Sequence, residues 1–335
     1  MRTWIFKEDT TGDLRVPDEF ELTASGSRAV ALGYFDGVHR GHLKLFTVLR
    51  EISASHGLQT MAHTFSQTPK SKVYASAGSG LITTLSERCD LIHRAGIDEI
   101  AVFPFTTSLA SMKAEAFLDE YVLKVLKAKI VVVGEDYRFG AGREGDAALL
   151  SKWAEKHGVQ AVLVPPEKQG DKVISSSWIR SCILEGDMEK TSLLLGRPIS
   201  YEGTVLSGRK LGRTLGFPTA NIGIPFGKIV PQYGVYASFL LHESRLIPSV
   251  SNIGVRPTVE EPDVHPIIET TMHHVDLNLY GQNVKVFPVQ KIREERKFSS
   301  LDALRTQVGK DLINSIRIHA EIDFDYSNLI SGVVL

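Results

Sequence analysis

The sequence predicts two domains, an α/β domain built on a doubly wound parallel sheet and an antiparallel β-barrel finished by a terminal helix. In the first half, strand-sized apolar runs alternate with amphipathic helical runs, as parallel strands joined by crossover helices require. Beyond Leu195 that alternation stops, and strand candidates follow one another with only turn formers between them. A closing periodic stretch carries Leu301, Leu304, Val308, Leu312 and Ile316 behind Ser299 and Ser300, which reads as a capped helix with those five side chains as its buried stripe. A length of 335 residues suits two independent cores, and Gly186 marks the seam, giving domains 1–186 and 187–335.

Each element of the first half has its own signal. Ala29–Leu32 is an apolar run, followed by a glycine-rich turn over 33–42 and a helix with Leu45, Val48, Leu49 and Ile52 on its inner face. A strand at Thr60–Phe65 leads through Pro69 to a polar loop. A helix over Leu85–Ala95 closes at Gly96, and a strand at Ile100–Phe103 precedes a helix over Ala114–Leu126. Ile130–Val133 is β-branched throughout, as in a strand buried on both faces, and a helix ending at His157 leads to a strand at Gln160–Val164. In the second half the strands are Tyr201–Leu206, Gly234–Leu241, Leu246–Ile253, Pro266–Val275 and Asn283–Ile292.

Composition narrows the function. Hydrophobic residues make up 43% of the chain and charged residues 23%, as in a soluble globular protein. With 38 basic and 39 acidic side chains there is no basic footprint for nucleic acid, so an anionic ligand must be held by local donors. Cys89 and Cys182 indicate neither a disulfide framework nor a zinc site. The charged N-terminus does not read as a signal peptide, and no apolar run reaches membrane-spanning length, so a cytoplasmic protein is expected.

Chemistry concentrates in four strings. Gly33-Tyr34-Phe35-Asp36-Gly37-Val38-His39-Arg40-Gly41-His42 sits between a strand and a helix, where unpaired N–H groups and the helix dipole favour phosphate. Gly37 and Gly41 permit close backbone approach, and His39 and His42 add imidazoles on nearly one face. The stretch lacks the lysine of a Walker A loop and the spacing of a dinucleotide fingerprint. Gly134-Glu135-Asp136-Tyr137-Arg138-Phe139-Gly140 follows a buried strand, with Asp136 readable either as a ligand contact or as a turn residue. Ser175-Ser176-Ser177-Trp178-Ile179-Arg180 opens a helix with hydroxyls and a phosphate-gripping guanidinium. The basic, glycine-rich 208–221 stretch, holding Gly208, Lys210, Gly216, Pro218, Thr219 and Asn221, suits another anion.

The first string resembles the nucleotidylyltransferase signature in the form found in prokaryotic bifunctional FAD synthetases (riboflavin kinase/FMN adenylyltransferase). The Ser-rich string is similar to that family's I-S-S-T-x-I-R motif with Ser177 for Thr, and 134–140 to its G-x-D-F-x-F-G loop with Tyr137 for Phe. Pro218-Thr219-Ala220-Asn221 resembles the riboflavin kinase signature, and matches continue through Asn252-Ile253-Gly254, Ile268-Glu269-Thr270 and Ile292-Arg293-Glu294. Where the family carries a proline-containing F-x-P-x-P turn near the flavin, this chain has Phe65-Ser66-Gln67-Thr68-Pro69.

The resemblance implies a Rossmann-like nucleotidylyltransferase domain and a riboflavin-kinase barrel. Riboflavin and ATP would give FMN, and FMN with a second ATP would give FAD and pyrophosphate, with Mg²⁺ as cofactor and only small molecules as partners. It implies that His39, His42, Arg180 and Glu269 are catalytic, Glu269 as the base. Gly33, Phe35, Asp36, Gly37, Gly41, Ser176 and Ser177 would bind ATP with the histidines and Arg180. Asp136, Phe139 and Arg293 would contact flavin, although Arg293 also reads as a partner for a carboxylate. Gly208, Lys210, Gly216, Pro218, Thr219 and Asn221 would bind the kinase ATP, and Thr219 and Asn221 the metal. The nucleotidylyltransferase strings alone also fit another adenylyl- or cytidylyltransferase, and the whole also fits a flavin-binding regulator. P-T-A-N with Glu269 favours the two-reaction reading.

Overall fold

The structure is a computed structural model, and it describes residues 1–10, 13–23, 26–66, 80–206, 217–255, 266–273 and 277–322. The chain packs as two units, Met1–Ser76 with Leu85–Ser175, and Ala77–Thr84 with Ser176–Leu335. The division falls at Ser175/Ser176, before the Gly186 seam read from the sequence. Two helices explain the difference: α4 (Ser176–Glu185) packs on α5 (Met188–Leu195), and α5 packs on a barrel strand.

The first unit is a six-stranded, wholly parallel sheet of β1 (Arg2–Ile5), β2 (Arg28–Leu32), β3 (Gln59–Phe65), β4 (Glu99–Phe103), β5 (Ala128–Gly134) and β6 (Gln160–Val164). Their order is β1-β4-β3-β2-β5-β6. The chain steps outward from β2 to β3 and β4, then returns to β5 on the other side of β2. Ligand crevices form at such reversals, outside the carboxyl ends of the strands. Every residue of β2 and β4 is buried, so both faces need apolar side chains. Val30, Leu32, Met61, Phe103 and Val131 fill one face; Ala29, Ala31, Ile100, Val102 and Val132 fill the other, under α1 (Arg40–His56). At the amino end of the sheet, Arg28 Nε pairs with Glu99 Oε2 at 2.5 Å and Trp4 Nε1 donates to Glu99 Oε1 at 3.1 Å. The edge strand β1 lies outside the strands read from the sequence, because only Trp4 of its four residues is buried. The helix expected over Ala114–Leu126 is α-helical at α3 (Ala114–Phe117) and widens to a π-type helix at Leu118–Val125.

The second unit holds a closed barrel of β7 (Tyr201–Leu206), β8 (Thr219–Gly223), β9 (Gly234–His242), β10 (Arg245–Val255), β11 (Pro266–Met272) and β12 (Asn283–Arg293), in the order β7-β8-β11-β10-β9-β12. All its pairings are antiparallel. β8 is a strand the sequence reading assigned to a loop. A buried hydroxyl ladder crosses three strands: Ser249 and Ser251 lie 3.0 and 2.7 Å from Ser238, and Ser251 lies 2.8 Å from Thr270.

The terminal helix α6 (Leu301–Glu321) is capped by Ser300, whose hydroxyl accepts from the Ala303 N–H. Its expected apolar stripe is corrected by the structure: Leu301 and Ile316 are 57% and 48% exposed. Asp311 and Ser315 are buried instead. The reason is the partner surface, which offers polar groups. Arg293 on β12 forks onto Asp311 at 2.8–3.1 Å, His273 Nε2 lies 2.8 Å from the Ser315 hydroxyl, and His319 Nε2 donates to the Ser238 carbonyl at 2.9 Å.

Candidate active sites

The turn after β2 is wound tightly. Phe35, Gly37 and Val38 all have positive φ (56°, 85° and 40°), a conformation that is costly for the β-branched Val38. The winding folds the Phe35 ring back over Gly33, where a Cβ would come within 2.6 Å of it. Phe35, Asp36 and Val38 are buried beneath the turn. Phe35 also meets Phe46 of α1, which sets the helix directly under the loop.

His39 is the N-cap residue of α1, and its N–H donates to His42 Nδ1 at 3.3 Å. With Nδ1 accepting, the proton of a neutral His42 sits on Nε2. The two rings stack with centroids 3.6 Å apart and planes 20° from parallel. His39 is buried and His42 half-buried. The Phe35 ring stands edge-on to His42 at 5.3 Å, and Gly41 leaves room for the His39 imidazole. No acidic residue occupies the first turn of α1, so the helix itself does not cancel the positive end of its dipole.

Supports that the sequence reading did not identify hold this turn. Arg88 on α2 (Leu85–Arg94) is wholly buried, stacks over the Tyr34 ring at 4.4 Å, and donates to the carbonyls of Tyr34 and Phe65 at 3.2 and 2.6 Å. Thr64 Oγ1 donates to the same Tyr34 carbonyl at 2.7 Å. Arg40 donates to Gln169 Oε1 at 2.8 Å and Glu167 Oε1 at 3.0 Å, and Lys44 reaches Glu167 at 3.5 Å. An arginine in an amphipathic helix gives no sequence signal that its guanidinium turns inward.

The loop after β5 divides its two expected flavin contacts. Asp136 is exposed and folds its carboxylate back toward Gly134, whose carbonyl accepts from Tyr137 N–H at 3.0 Å. This is the turn geometry the residue permits. Phe139 is buried in the core, stacked on Tyr137 at 5.4 Å and near Phe117 at 6.3 Å, so packing accounts for it. Burial pushes the Tyr137 phenol upward in pKa. At the carboxyl ends of β3 and β4, half-buried Phe65 and Phe105 stand edge-on at 5.3 Å.

Ser176 and Ser177 open α4 in the second unit, and Arg180 Nε donates to the Gly80 carbonyl at 3.0 Å. On the barrel, Asn221 of β8 is paired in register with Glu269 of β11, which is paired in turn with Asn252 of β10. Thr219 lies two residues before Asn221 and so projects from the same face. Asn221 is buried, and Thr219 and Glu269 are half-buried. Asn252 Nδ2 donates to Glu295 Oε1 at 3.0 Å at the edge of this row. The structure therefore brings Thr219, Asn221 and Glu269 together, a hydroxyl, an amide and a carboxylate suited to a hard cation. Arg293 stands apart, committed to Asp311. Pro218 precedes β8, while Gly208, Lys210 and Gly216 lie outside the described residues, as does Pro69.

Comparison with known proteins matches both units. The FAD synthetase family model covers residues 22–178 and the riboflavin kinase model residues 195–319. The bifunctional riboflavin kinase/FMN adenylyltransferase of Escherichia coli (strain K12) is 35% identical over 84% of this chain and 90% of its own. That of Bacillus subtilis (strain 168) is 34% identical over 88% and 93%. A solved structure described as a macrolide-efflux protein from Streptococcus pneumoniae superposes with a TM-score of 0.80 at 29% identity, covering 94% of this chain and 98% of that one. Among the described residues of this chain, no helix is long and apolar enough to cross a membrane.

Proposed function

The chain belongs to the bifunctional riboflavin kinase/FMN adenylyltransferase family, and from that premise we propose how its residues divide the two reactions. It phosphorylates riboflavin to FMN with ATP and adenylylates FMN to FAD with a second ATP. The observation that carries the division is that two different donor sets sit in separately packed units: stacked imidazoles at a helix start, and a carboxylate beside an amide on a barrel.

In the barrel, Glu269 accepts the proton of the ribityl 5′-hydroxyl as that oxygen attacks the γ-phosphorus. Thr219 and Asn221 would hold Mg²⁺ through their side-chain oxygens, and the ion when bound would supply positive charge beside the ATP phosphates. Pro218, with its fixed φ, sets the entry to β8, and Gly208, Lys210 and Gly216 are assigned to the nucleotide on the strength of their motif. Asn221 and Glu269 need only face one another for this chemistry, and their register supplies that.

In the α/β unit, the FMN phosphate is itself the nucleophile and attacks the α-phosphorus of ATP, with pyrophosphate leaving. His39 and His42 donate to the phosphate oxygens where negative charge builds. Gly37 lets the nucleotide approach the backbone, Gly33 and Gly41 make room for the Phe35 ring and the His39 imidazole, and Phe35 and Asp36 shape the turn beneath it. Ser176, Ser177 and Arg180 are assigned to ATP on the strength of their motif alone. Flavin is taken beside the Phe65–Phe105 ring pair, and Asp136 is assigned to it on the strength of its motif. Phe139 and Arg293 support the sites from behind, through packing and through Asp311. The small, water-soluble substrates suit a cytoplasmic location.

The test is chromatography of riboflavin incubated with ATP and Mg²⁺. His39→Ala lowers FAD formation by about 10²–10³-fold, the scale of one lost charge-stabilising donor, and leaves FMN formation intact. Glu269→Gln stops FMN formation but not the conversion of supplied FMN. Loss of both activities from either single, folded variant contradicts the division.

A further inference from the structure

His63 on β3 is the least expected polar side chain in the α/β unit. It is fully buried, and neither ring nitrogen has a hydrogen-bond partner among the described residues. Its neighbours are other rings: Phe103 at 4.5 Å, Phe65 at 4.8 Å and Phe117 at 5.9 Å. Leucine or phenylalanine would satisfy such surroundings, and an imidazole left unpaired there opposes folding. A buried polar group without a partner calls for an explanation in function or in a missing ligand.

Its position supplies one. The His63 carbonyl accepts from the Gly33 N–H at 3.3 Å, so the residue lies directly beneath the turn that carries His39 and His42. Phe65, two residues further along β3, projects from the same face, is half-buried, and packs edge-on to both His63 and Phe105. From the crevice inward the order is therefore Phe105, Phe65, His63. A flat aromatic ligand entering at the carboxyl ends of β3 and β4 passes Phe105 and then meets Phe65, the last ring before His63. Rotation of that one ring brings the ligand's edge to the imidazole.

We propose that His63 is a specificity-determining contact for the flavin in the adenylylation unit, making one hydrogen bond to the N–H/C=O edge of the isoalloxazine once the Phe65 ring turns aside. A neutral imidazole carries one donor and one acceptor, so it can accept from the flavin ring N–H or donate to an adjacent carbonyl. The inference rests on the assignment of FMN adenylylation to this unit. It adds a residue that neither the motifs nor the turn geometry identify.

The test compares wild type, His63→Leu and His63→Gln in FAD formation from FMN, with riboflavin kinase activity measured on the same samples. His63→Leu is expected to raise the KM for FMN about tenfold, the equivalent of one hydrogen bond, and to leave the KM for ATP unchanged. His63→Gln, which keeps a donor and an acceptor, recovers most of that loss. An FMN KM within twofold of wild type in the leucine variant overturns the proposal. Ring-¹⁵N-labelled wild type gives an answer even if the variants fold poorly: saturation with FMN shifts a His63 nitrogen resonance, and an unmoved resonance overturns the contact. A wild type that does not convert FMN overturns the adenylylation reading itself, whereas conversion with an unchanged leucine variant overturns this contact alone.

Discussion

At the scale of single residues, the sharpest constraint is the space shared by Gly41 and His39. A Cβ at position 41 would stand 3.2 Å from two atoms of the His39 ring, closer than ordinary packing permits. Alanine is also a better helix residue than glycine by about 1 kcal/mol, and position 41 lies in the first turn of α1. Gly41→Ala is therefore expected to keep or raise stability while cutting the adenylylation rate more than tenfold, with riboflavin phosphorylation unchanged. Parallel melting curves and separate assays of the two reactions check it, and a simple loss of fold would show as a lowered melting temperature. His63 adds a pH dependence. Burial lowers its pKa from 6.5 to about 3, so the unfolded chain binds a proton more readily than the folded one between those values. Stability from this group is complete above pH 6.5 and is lost as pH falls toward 3, with a limiting slope of about 1.4 kcal/mol per pH unit. Urea titrations across that range should show the slope, and His63→Leu should flatten it.

At the scale of elements, the terminal helix shows how an apolar pattern can mislead. Spacing alone nominated Leu301 and Ile316 for burial, yet α6 turns Asp311 and Ser315 inward. The groups that decide this are Arg293, His273 and the Ser238 carbonyl, which reach the helix from elsewhere in the barrel. Strands with plain alternation or unbroken apolar runs were legible within a residue or two, except that the strand read over Pro266–Val275 ends at Met272, with Val275 outside the described residues. β8 was not, because the signature over 218–221 drew attention as a loop, although Ala220 and Ile222 alternate with Thr219 and Asn221 as a strand requires. The candidate site was legible as motifs, since glycines and histidines at that spacing carry a local mechanism. Its supports Arg88 and Glu167 were not, because their roles depend on tertiary placement. The α6 docking yields a prediction of its own. Asp311→Asn leaves the Arg293 guanidinium facing a neutral amide, and Arg293 is only 20% exposed. Breaking such a pair from one side costs about 3 kcal/mol, which denaturant unfolding of the barrel should register.

At the scale of the whole molecule, each unit has its own core, and the stacked imidazoles and the Asn221–Glu269 pair lie in different units, so the two reactions need share only FMN. This gives an expectation that no single-site experiment tests. A His39→Ala protein makes FMN and stops; a Glu269→Gln protein makes FAD only from supplied FMN. Mixed at equal concentration with riboflavin, ATP and Mg²⁺, they should produce FAD after a lag in which FMN accumulates. The lag should shorten in proportion as the His39→Ala protein is increased, because free FMN is then made faster. The steady rate should approach that of the intact adenylylation units present, since nothing in either donor set requires the other on the same chain. Time-resolved chromatography of the mixture measures both quantities. A mixture in which FMN stays bound to the His39→Ala protein, as size-exclusion chromatography would show, and yields no FAD, while Glu269→Gln converts supplied FMN, means that the intermediate must stay with the chain that made it.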